Sequence, residues 1–173
     1  MKPQEQVLTA LGAAPWVPVN YRGTQFGVGI GVAVSNGATL TYSIQHTFDD
    51  PQKVQDVTIT RSGTTATVTF KDPHGLVAND SINVVGTRES NLAGVFDVAG
   101  VPSDTTLTYT VADTGSTAET CGCVTFSVFE HDDLSAQSTT QDGNYAFPPS
   151  CMRLRVTAYT DGSVKANYNY LSR

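Results

Sequence analysis

The residues best suited to chemistry in this sequence are four aspartates and two histidines, in two groups far apart along the chain: His46, Asp49, Asp50, His131, Asp132 and Asp133. Two carboxylates beside an imidazole can bind a metal ion or act as a general acid–base pair. The same residue types are also typical of chain reversals, because Asp-Asp-Pro and His-Asp-Asp favour turns. We interpret them as turn and strand-end residues. A divalent cation held by aspartate oxygens near Asp49 and Asp132 stays open as an alternative.

Other signatures of catalysis or cofactor binding are missing from the sequence. It contains no Gly-x-Ser-x-Gly elbow, no Gly-rich phosphate loop and no His-Glu-x-x-His pair. The three cysteines, Cys121, Cys123 and Cys151, are an odd number in a chain too long to need a disulfide framework. Cys-Gly-Cys also lacks the second pair that a tetrahedral metal site requires. We therefore predict reduced cysteines, no catalytic residues, no metal and no cofactor.

The composition narrows the class of protein. The 173 residues carry a net charge of −6, with 39% apolar and 15% charged residues, so the chain is too apolar and too weakly charged to be disordered. An acidic balance disfavours nucleic acid, since affinity for phosphate backbones comes from Lys and Arg. No apolar run approaches the roughly 18–20 residues of a membrane helix. We interpret residues 1–20 as a mature N-terminal arm and not as a secretion signal.

Hydrophobic alternation predicts strands before residue 49. Residues Phe26–Ser35 alternate between valine or isoleucine and small residues, and Leu40–Phe48 alternate in the same way. Ser35-Asn36-Gly37 between them favours a tight turn, so we predict a hairpin. His46 is in phase with Leu40 and Ile44, which predicts a hydrogen-bonded histidine in the core or at an interface.

The middle of the chain has the same character. Short alternating segments between Val57 and Val111 are separated by turn residues, including Arg61–Thr64, which predicts a small antiparallel barrel or sandwich. A Gly/Ser/Thr/Ala stretch from Ala112 to Thr120 reads as a connector. Further strands are predicted around Val124–Val128, Met152–Ala158 and Val164–Tyr170, the last two joined by a turn at Asp161-Gly162. The fold class is therefore all-β.

Charge indicates how these segments divide into domains. Residues 55–122 contain eight acidic and three basic residues, whereas the rest of the chain contains eight and seven. We predict a discontinuous host domain, residues 1–54 plus 123–173, with a jelly-roll-like β-sandwich fold. Residues 55–122 form an inserted β domain, which we call the guest. Such insertions are accepted best at exposed hairpin tips whose ends lie close together.

A docking face is predicted on the last strands. Arg153 and Arg155 lie in the phase opposite to Met152 and Leu154, where they either pair with neighbouring groups or solvent, or bind a partner. Three tyrosines extend the predicted interface: Tyr159, Tyr168 and Tyr170. Trp16, between Pro15 and Pro18, either covers the protein's own core or packs into a neighbouring subunit.

A resemblance to known proteins lies in His74–Val111, which reads HGLVANDSINVVGTRESNLAGVFDVAGVPSDTTLTYTV. This segment resembles a β module that recurs in structural proteins of tailed bacteriophages. The pattern of that module is roughly His-Gly-Leu, Gly-Asp-x-Val, Gly, a small loop, Gly-x-Phe-x-Val and Thr-x-Tyr-x-Val. Asn79 stands where the pattern prefers glycine, and asparagine is the next-best residue at positive φ.

The flanking segments are similar to small head-associated proteins encoded beside phage capsid genes. The similarity lies in Thr41–Pro51 (TYSIQHTFDDP) and Asp142–Tyr168 (DGNYAFPPSCMRLRVTAYTDGSVKANY). In those relatives a short loop joins the two pieces, which agrees with an inserted guest. The resemblance implies a virion structural protein and supplies no catalytic residues.

Together these features predict a non-enzymatic decoration or cement protein. It would be made in the cytoplasm of the host cell and would lie on the capsid surface as a homo-oligomer, with a trimer favoured. Its partners would be the major capsid protein and itself, with no nucleic acid and no membrane. Three alternatives stay open: a receptor- or glycan-binding head-fibre or tail protein that binds through the guest, a collar or tail component, and a weak hydrolase using Asp49 and His131.

Overall fold

The structure is a computed structural model that describes residues 4–19 and 27–170. It is 62% strand and 4% helix, so the predicted all-β, sandwich-like fold class is confirmed. The chain forms two compact units, residues 1–48 with 129–173 and residues 49–128, which we call the host unit and the guest unit. The strands are β1 (Gln4–Leu8), β2 (Gly12–Ala13), β3 (Val17–Pro18), β4 (Val28–Val34), β5 (Thr39–Thr47), β6 (Gln55–Thr69), β7 (Ser81–Val85), β8 (Gly94–Asp97), β9 (Gly100–Ser103), β10 (Thr106–Phe126), β11 (Phe129–Glu130), β12 (Gln141–Tyr145), β13 (Cys151–Asp161) and β14 (Val164–Tyr170).

The host unit contains two antiparallel sheets. One has the order β1-β14-β4-β12, and the other has the order β11-β5-β13-β2, with β3 also paired to β13. Alternating residues from both sheets form one buried cluster, which includes Val28, Ile30, Ile44, Leu154 and Tyr168. A period of two places every second side chain on one face, so each sheet contributes its apolar face to this shared core.

The predicted hairpin between residues 26–35 and 40–48 is wrong. β4 pairs with β12 and β14, whereas β5 pairs with β11 and β13, so the two strands lie in different sheets. The tight turn at Asn36-Gly37 exists, with φ of 79° at Gly37, but it carries the chain from one sheet to the other. Each of the two strands has one apolar face. Because the strands lie in opposite sheets, these two faces point toward each other and pack in the shared core. Phe26 lies outside the described residues.

The guest unit is built on two long strands. Its five-stranded sheet has the order β6-β10-β7-β8, and β9 pairs with the first part of β10. The buried cluster combines residues from both ends of β6, such as Val57 and Val68, with Leu107 and Cys123 of β10. The long strands therefore bend around a core of their own, as expected for a small barrel or sandwich.

Two segments that we predicted as turn and connector are parts of these strands. Arg61–Thr64 does not reverse the chain: Gly63 has a φ of 62°, and β6 stays paired with β10 on both sides of it. Residues Gly115–Thr120 also pair with β6 and are not a connector. Threonine favours strands, and cross-strand threonine pairs stabilise an exposed face, so a Thr-rich run extends the sheet here.

The guest boundaries differ from those predicted by six residues at each end. The guest unit spans residues 49–128, where the charge pattern gave 55–122. The last part of β10 explains the difference, because Val124 and Phe126 pair with Asn83 and Ser81 of β7. The charge pattern places that apolar segment in the host. Alternation correctly predicts a strand there, but it does not tell which sheet the strand joins.

The loop that precedes β7 contains a residue in the left-handed region. Asn79 has a φ of 74°, the left-handed conformation that asparagine accepts most readily after glycine. Asp80 stabilises the loop, since its carboxylate accepts hydrogen bonds from the amides of Val77 and Val128 at 2.8 Å each. Nδ1 of His74 accepts one from the amide of Leu76.

Two of the connections between the host sheets, the one from β4 to β5 and the one from β13 to β14, pack against each other, which gives a first prediction. Gly162, between β13 and β14, has a φ of 95°, and a Cβ atom there would lie 2.7 Å from Cα of Ala38. We expect Gly162→Ala to lower the free energy of unfolding of the host unit by about 2–4 kcal/mol, because strain and overlap add. Urea unfolding followed by fluorescence of Trp16, the only tryptophan, measures this.

Gly37→Ala is the matched control for that variant. Gly37 also has positive φ, but a Cβ atom there meets nothing within 4 Å. This variant therefore pays only the backbone cost of about 1–2 kcal/mol. Equal losses for the two variants would contradict the close packing of the two connections.

Candidate functional site

A cleft with a volume of about 350 Å³ opens at one end of the host unit. It lies where β5 pairs with β11, beside a short 3₁₀ helix, Asp132–Leu134, and the end of β12. Six ring side chains line it, from both sequence segments of the host: His46, Phe48, Phe129, His131, Tyr145 and Phe147. A concave site lined by aromatic and a few polar groups is the usual form of a ligand site.

Strand pairing positions the first rings of this cleft. His46 is the direct cross-strand partner of Phe129, and their rings stack with centroids 5.8 Å apart. Phe48 lies two residues further along the chain and packs edge-on against His46 at 5.3 Å. The three phenylalanines remain open to solvent, with exposures of 58% for Phe48, 49% for Phe129 and 78% for Phe147. Their exposed faces are available to a ligand.

His131 has a structural role in the wall of the cleft. It is 5% exposed and caps the 3₁₀ helix, where its Nδ1 accepts a hydrogen bond from the amide of Asp133. Its Nε2 lies 3.0 Å from the carbonyl oxygen of Asn144 and therefore carries the proton and donates. Both ring nitrogens are engaged in this neutral tautomer, so His131 holds the loop in place and is not free to act as a base or metal ligand.

His46 and Tyr145 form the inner part of the wall. Their rings pack at 5.0 Å, and both Nδ1 of His46 and Oη of Tyr145 are buried with no hydrogen-bond partner among the described residues. Burial is the main cause that lowers the pKa of His46. Positive charge on His131 would lower this pKa further, whereas the carboxylate of Asp132 raises it. Burial also raises the pKa of Tyr145. An unsatisfied buried polar atom costs about 1–3 kcal/mol, so each of these two atoms is available to a hydrogen-bonding group that enters the cleft.

Three carboxylates add negative charge to the cleft. Glu130 accepts hydrogen bonds from Ser43, from Gln45 and from the hydroxyl of Ser135, so its position is fixed. Asp132 and Asp133 are exposed at the rim. Among the described residues, no group of three or more His, Cys, Asp or Glu side chains is arranged to hold a metal ion.

The predicted cluster of aspartates and histidines is therefore brought together only in part. His46, His131, Asp132 and Asp133 line the cleft, whereas Asp49 and Asp50 belong to the guest unit. Asp50 forms a turn, because its carboxylate accepts a hydrogen bond from the amide of Gln52. Asp49 accepts one from the amide of Ser127. These contacts agree with our interpretation of the aspartates as turn residues.

Comparison of the chain with protein-family models, with curated proteins and with solved structures found no match. The described residues also include no helix with the length and hydropathy needed to cross a membrane. The geometry of the cleft and the resemblance in the sequence are therefore the observations from which a function can be argued.

Arg153 of β13 is not part of an exposed docking face, in contrast to our prediction. Arg153 is only 1% exposed and is the largest fully buried side chain in the described residues. Its Nε donates a hydrogen bond of 2.9 Å to Gln45, and its guanidinium lies 4.4 Å from the centroid of the Trp16 ring. Trp16 thus covers the outer face of this sheet within its own chain. Alternation along β13 correctly predicts that Arg153 lies on the face opposite to Met152 and Leu154. It does not reveal that Trp16 of the N-terminal arm covers Arg153 on that face.

The tyrosines of that face are also mostly internal. Tyr168 is fully buried, and its hydroxyl donates a hydrogen bond to Gln6 at 2.9 Å. Tyr159 is half-buried and donates to the carbonyl oxygen of Gly162, while Tyr170 is half-buried with its hydroxyl inside. Arg155 is half-buried. Tyr168 and Arg153 are therefore interior residues in this structure, and no continuous exposed face joins the predicted interface residues.

The sequence analysis missed most residues of the cleft. Phe129, Glu130, Tyr145 and Phe147 lie between the strands predicted around Val124–Val128 and Met152–Ala158, where the sequence pattern predicts no element. The available signal was Phe147, an aromatic residue in a Pro-rich turn with no alternating pattern to bury it. That signal does not identify the cleft, since the cleft depends on the pairing of β5 with β11.

The lowered pKa of His46 makes the host unit sensitive to acid. As the pH falls, the unfolded chain takes up this proton near the ordinary value of 6.5, before the folded chain does. The stability that this difference contributes is present above that value and is lost as the pH falls through the folded pKa. We expect His46→Gln to lose less stability than the wild type between about pH 7.5 and pH 5.5 in Trp16-monitored urea unfolding.

His74→Gln is the control, because His74 lies in the guest unit. It should leave the pH dependence of the Trp16-monitored transition unchanged. An NMR titration of His46 with a pKa at or above 6.5 would contradict the assignment.

The cysteines are expected to be unreactive in the folded protein. Cys121, Cys123 and Cys151 form no disulfide and are 7%, 0% and 1% exposed. Burial and the neighbouring Cys121 raise the pKa of Cys123 to about 12, and burial and Glu119 raise that of Cys121. Because the thiolate is the reactive form, iodoacetamide at about pH 8 should modify none of them until urea is added. Mass spectrometry measures the modification, and rapid labelling of the native chain would contradict the buried assignment.

Proposed function

We propose that this protein is a non-enzymatic structural component of a tailed-phage virion, and that it decorates the capsid surface as a homo-oligomer, with a trimer favoured. The proposal draws on the resemblance of His74–Val111 to a phage β module and of the flanking segments to head-associated proteins. Asn79, which stands where the module pattern prefers glycine, has a positive φ that glycine would also accept. Its partners would be the major capsid protein and further copies of itself.

A structural role agrees with the way the candidate catalytic groups are used. Both nitrogens of His131 make hydrogen bonds within the chain, and Asp49 and Asp50 accept hydrogen bonds from backbone amides. A general base needs a free acceptor within reach of its substrate. The weak hydrolase that we left open, with Asp49 and His131, therefore has little support.

The exposed phenylalanines of the cleft are the observation that carries the proposal. Phe48, Phe129 and Phe147 form an apolar surface beside carboxylates, whereas the other aromatic side chains of the described residues are buried or half-buried. Exposed apolar patches rimmed by polar groups mark interaction sites, and aromatic residues are enriched at interfaces. We assign docking on the shell to this surface and no longer to the face around Arg153.

The mechanism of stabilisation would be interfacial. A standard protein interface buries on the order of 1,600 Å² in total, and an oligomer that engages several capsomers gains avidity from each additional contact. Modest contacts repeated over a shell therefore add up without a change in shell geometry.

The test is to mix the purified full chain with shells that lack it and to image where it attaches. We expect binding over the lattice with local three-fold symmetry, and a loss of affinity of at least about tenfold for Phe147→Ser, since buried aromatic anchors dominate interfaces. Val101→Ser, on an exposed valine of the guest unit, is the matched control and should bind normally. Attachment only at the vertex or tail would contradict the decoration role.

The cleft also favours one second candidate, a receptor- or glycan-binding head-fibre or tail protein. Sugar platforms usually need exposed aromatic rings, and in the guest unit Tyr109 is fully buried and Phe96 packs against the core. Exposed rings with carboxylates and the Asn144 amide occur in the host cleft instead. A glycan array with the full chain and with Phe147→Ser separates this candidate from the first.

A further inference from the structure

We propose that the cleft in the host unit binds an arginine side chain presented by a protein partner. The inference rests on the proposed function in one respect, because it takes the partner to be a protein of the virion. It adds the chemistry by which that partner is recognised. Three features of the cleft support it: the exposed rings, the sign of the charge, and a similar contact already present within the chain.

The exposed rings suit a flat cation. The faces of aromatic rings attract cations, and arginine is the cation that most often stacks on them in proteins. Phe48 and Phe129 pack with centroids 5.9 Å apart and a tilt of 54°, so their faces are not closed against each other. Phe147 is 78% exposed at the same cleft. A guanidinium entering here would find ring faces on more than one side.

The charge of the lining favours a cation over a neutral ligand. Glu130, Asp132 and Asp133 line the cleft together with the rings, and no lysine or arginine of the described residues belongs to the lining. Glu130 is engaged by Ser43, Gln45 and Ser135, whereas no described residue donates a hydrogen bond to the carboxylate of Asp132 or Asp133. These two carboxylates are left to meet a ligand. A guanidinium offers the planar fork that pairs with carboxylates through two parallel hydrogen bonds.

The host unit already contains a contact of this kind. The guanidinium of Arg153 lies 4.4 Å from the centroid of the Trp16 ring and donates a hydrogen bond to the side-chain oxygen of Gln45. There, an aromatic face and a polar acceptor both contact an arginine that is only 1% exposed. The cleft offers the same two elements on its surface, with carboxylates in place of the amide. A second copy of this chain is a less suitable source of the arginine, because each copy carries a net charge of −6.

The experiment uses the full chain and N-acetyl-L-arginine methylamide as the probe. Binding is followed by NMR, through chemical-shift changes of backbone amides and of the His46 ring. We expect saturable shifts confined to the cleft. The matched citrulline probe, which has the same shape and no charge, should bind at least about fivefold more weakly, and raised salt should weaken arginine binding.

Variants test the residues that the proposal names. The double variant Asp132→Asn with Asp133→Asn, and separately Phe147→Ala, should each weaken binding of the arginine probe by about fivefold or more. Asp104→Asn makes the same change of charge on an exposed residue of the guest unit and should have no effect. Far-UV circular dichroism and the Trp16-monitored unfolding transition check that each variant folds.

Several outcomes would overturn the inference. These are equal binding of the arginine and citrulline probes, shifts outside the cleft, or binding that survives both cleft variants. Binding of neutral saccharides with no response to arginine would assign the cleft to a glycan instead. Failure with the arginine probe leaves the shell-binding experiment unaffected, and failure of shell binding leaves the response to arginine unaffected, so the two proposals fail separately.

Discussion

The pairing of β5 with β13 is the constraint on which the host unit depends. It joins residues 39–47 to residues 151–161 in one antiparallel ladder, although roughly a hundred residues separate the two segments. The ladder places Tyr42 and Ile44 beside Val156 and Leu154 in the shared core. It also fixes His46 opposite Met152 on one side, while β11 places Phe129 opposite His46 on the other. The core and the cleft therefore follow from the same set of backbone hydrogen bonds.

A chain of polar contacts links the outer face of this sheet to the cleft. Trp16 covers Arg153, Arg153 donates to Gln45, and Gln45 donates in turn to Glu130 in the cleft wall. A buried arginine is costly unless its hydrogen bonds are satisfied, so the arm and these side chains stabilise one another. The arrangement gives the N-terminal arm a function inside its own subunit. It also holds Glu130 in a fixed position and leaves Asp132 and Asp133 as the exposed acids of the cleft.

The sequence predicts the local structure well and the long-range pairing less well. Alternation identifies the buried faces of β4, β5 and β13, because a period of two records which side of a strand is apolar. It does not record the partner of a strand, which is why β4 and β5 were expected to form a hairpin and why Val124 was assigned to the host. Gly63 illustrates a second limit. Ser62-Gly63 is compatible both with a tight turn and with an irregularity inside a long strand, because glycine accepts positive φ in either, and only the paired strand distinguishes the two. The cleft was the least predictable feature, because it combines residues from both segments of the host.

The position of the phenylalanines in the chain allows their exposure to be interpreted. Phe48 is the last host residue before the guest and Phe129 is the first after it, and their rings contact each other. An inserted domain is accepted best where the two flanking host residues lie close together at the surface. This position at the insertion point explains part of the exposure of Phe48 and Phe129. Phe147 has no part in that closure, because it lies between β12 and β13, yet it is the most exposed of the three. Solvent exposure of a large apolar ring is unfavourable, and neither the core nor the insertion point requires it here. In the functions that we propose, a ligand or partner covers Phe147, and this ring is the part of the cleft that closure of the insertion point does not explain.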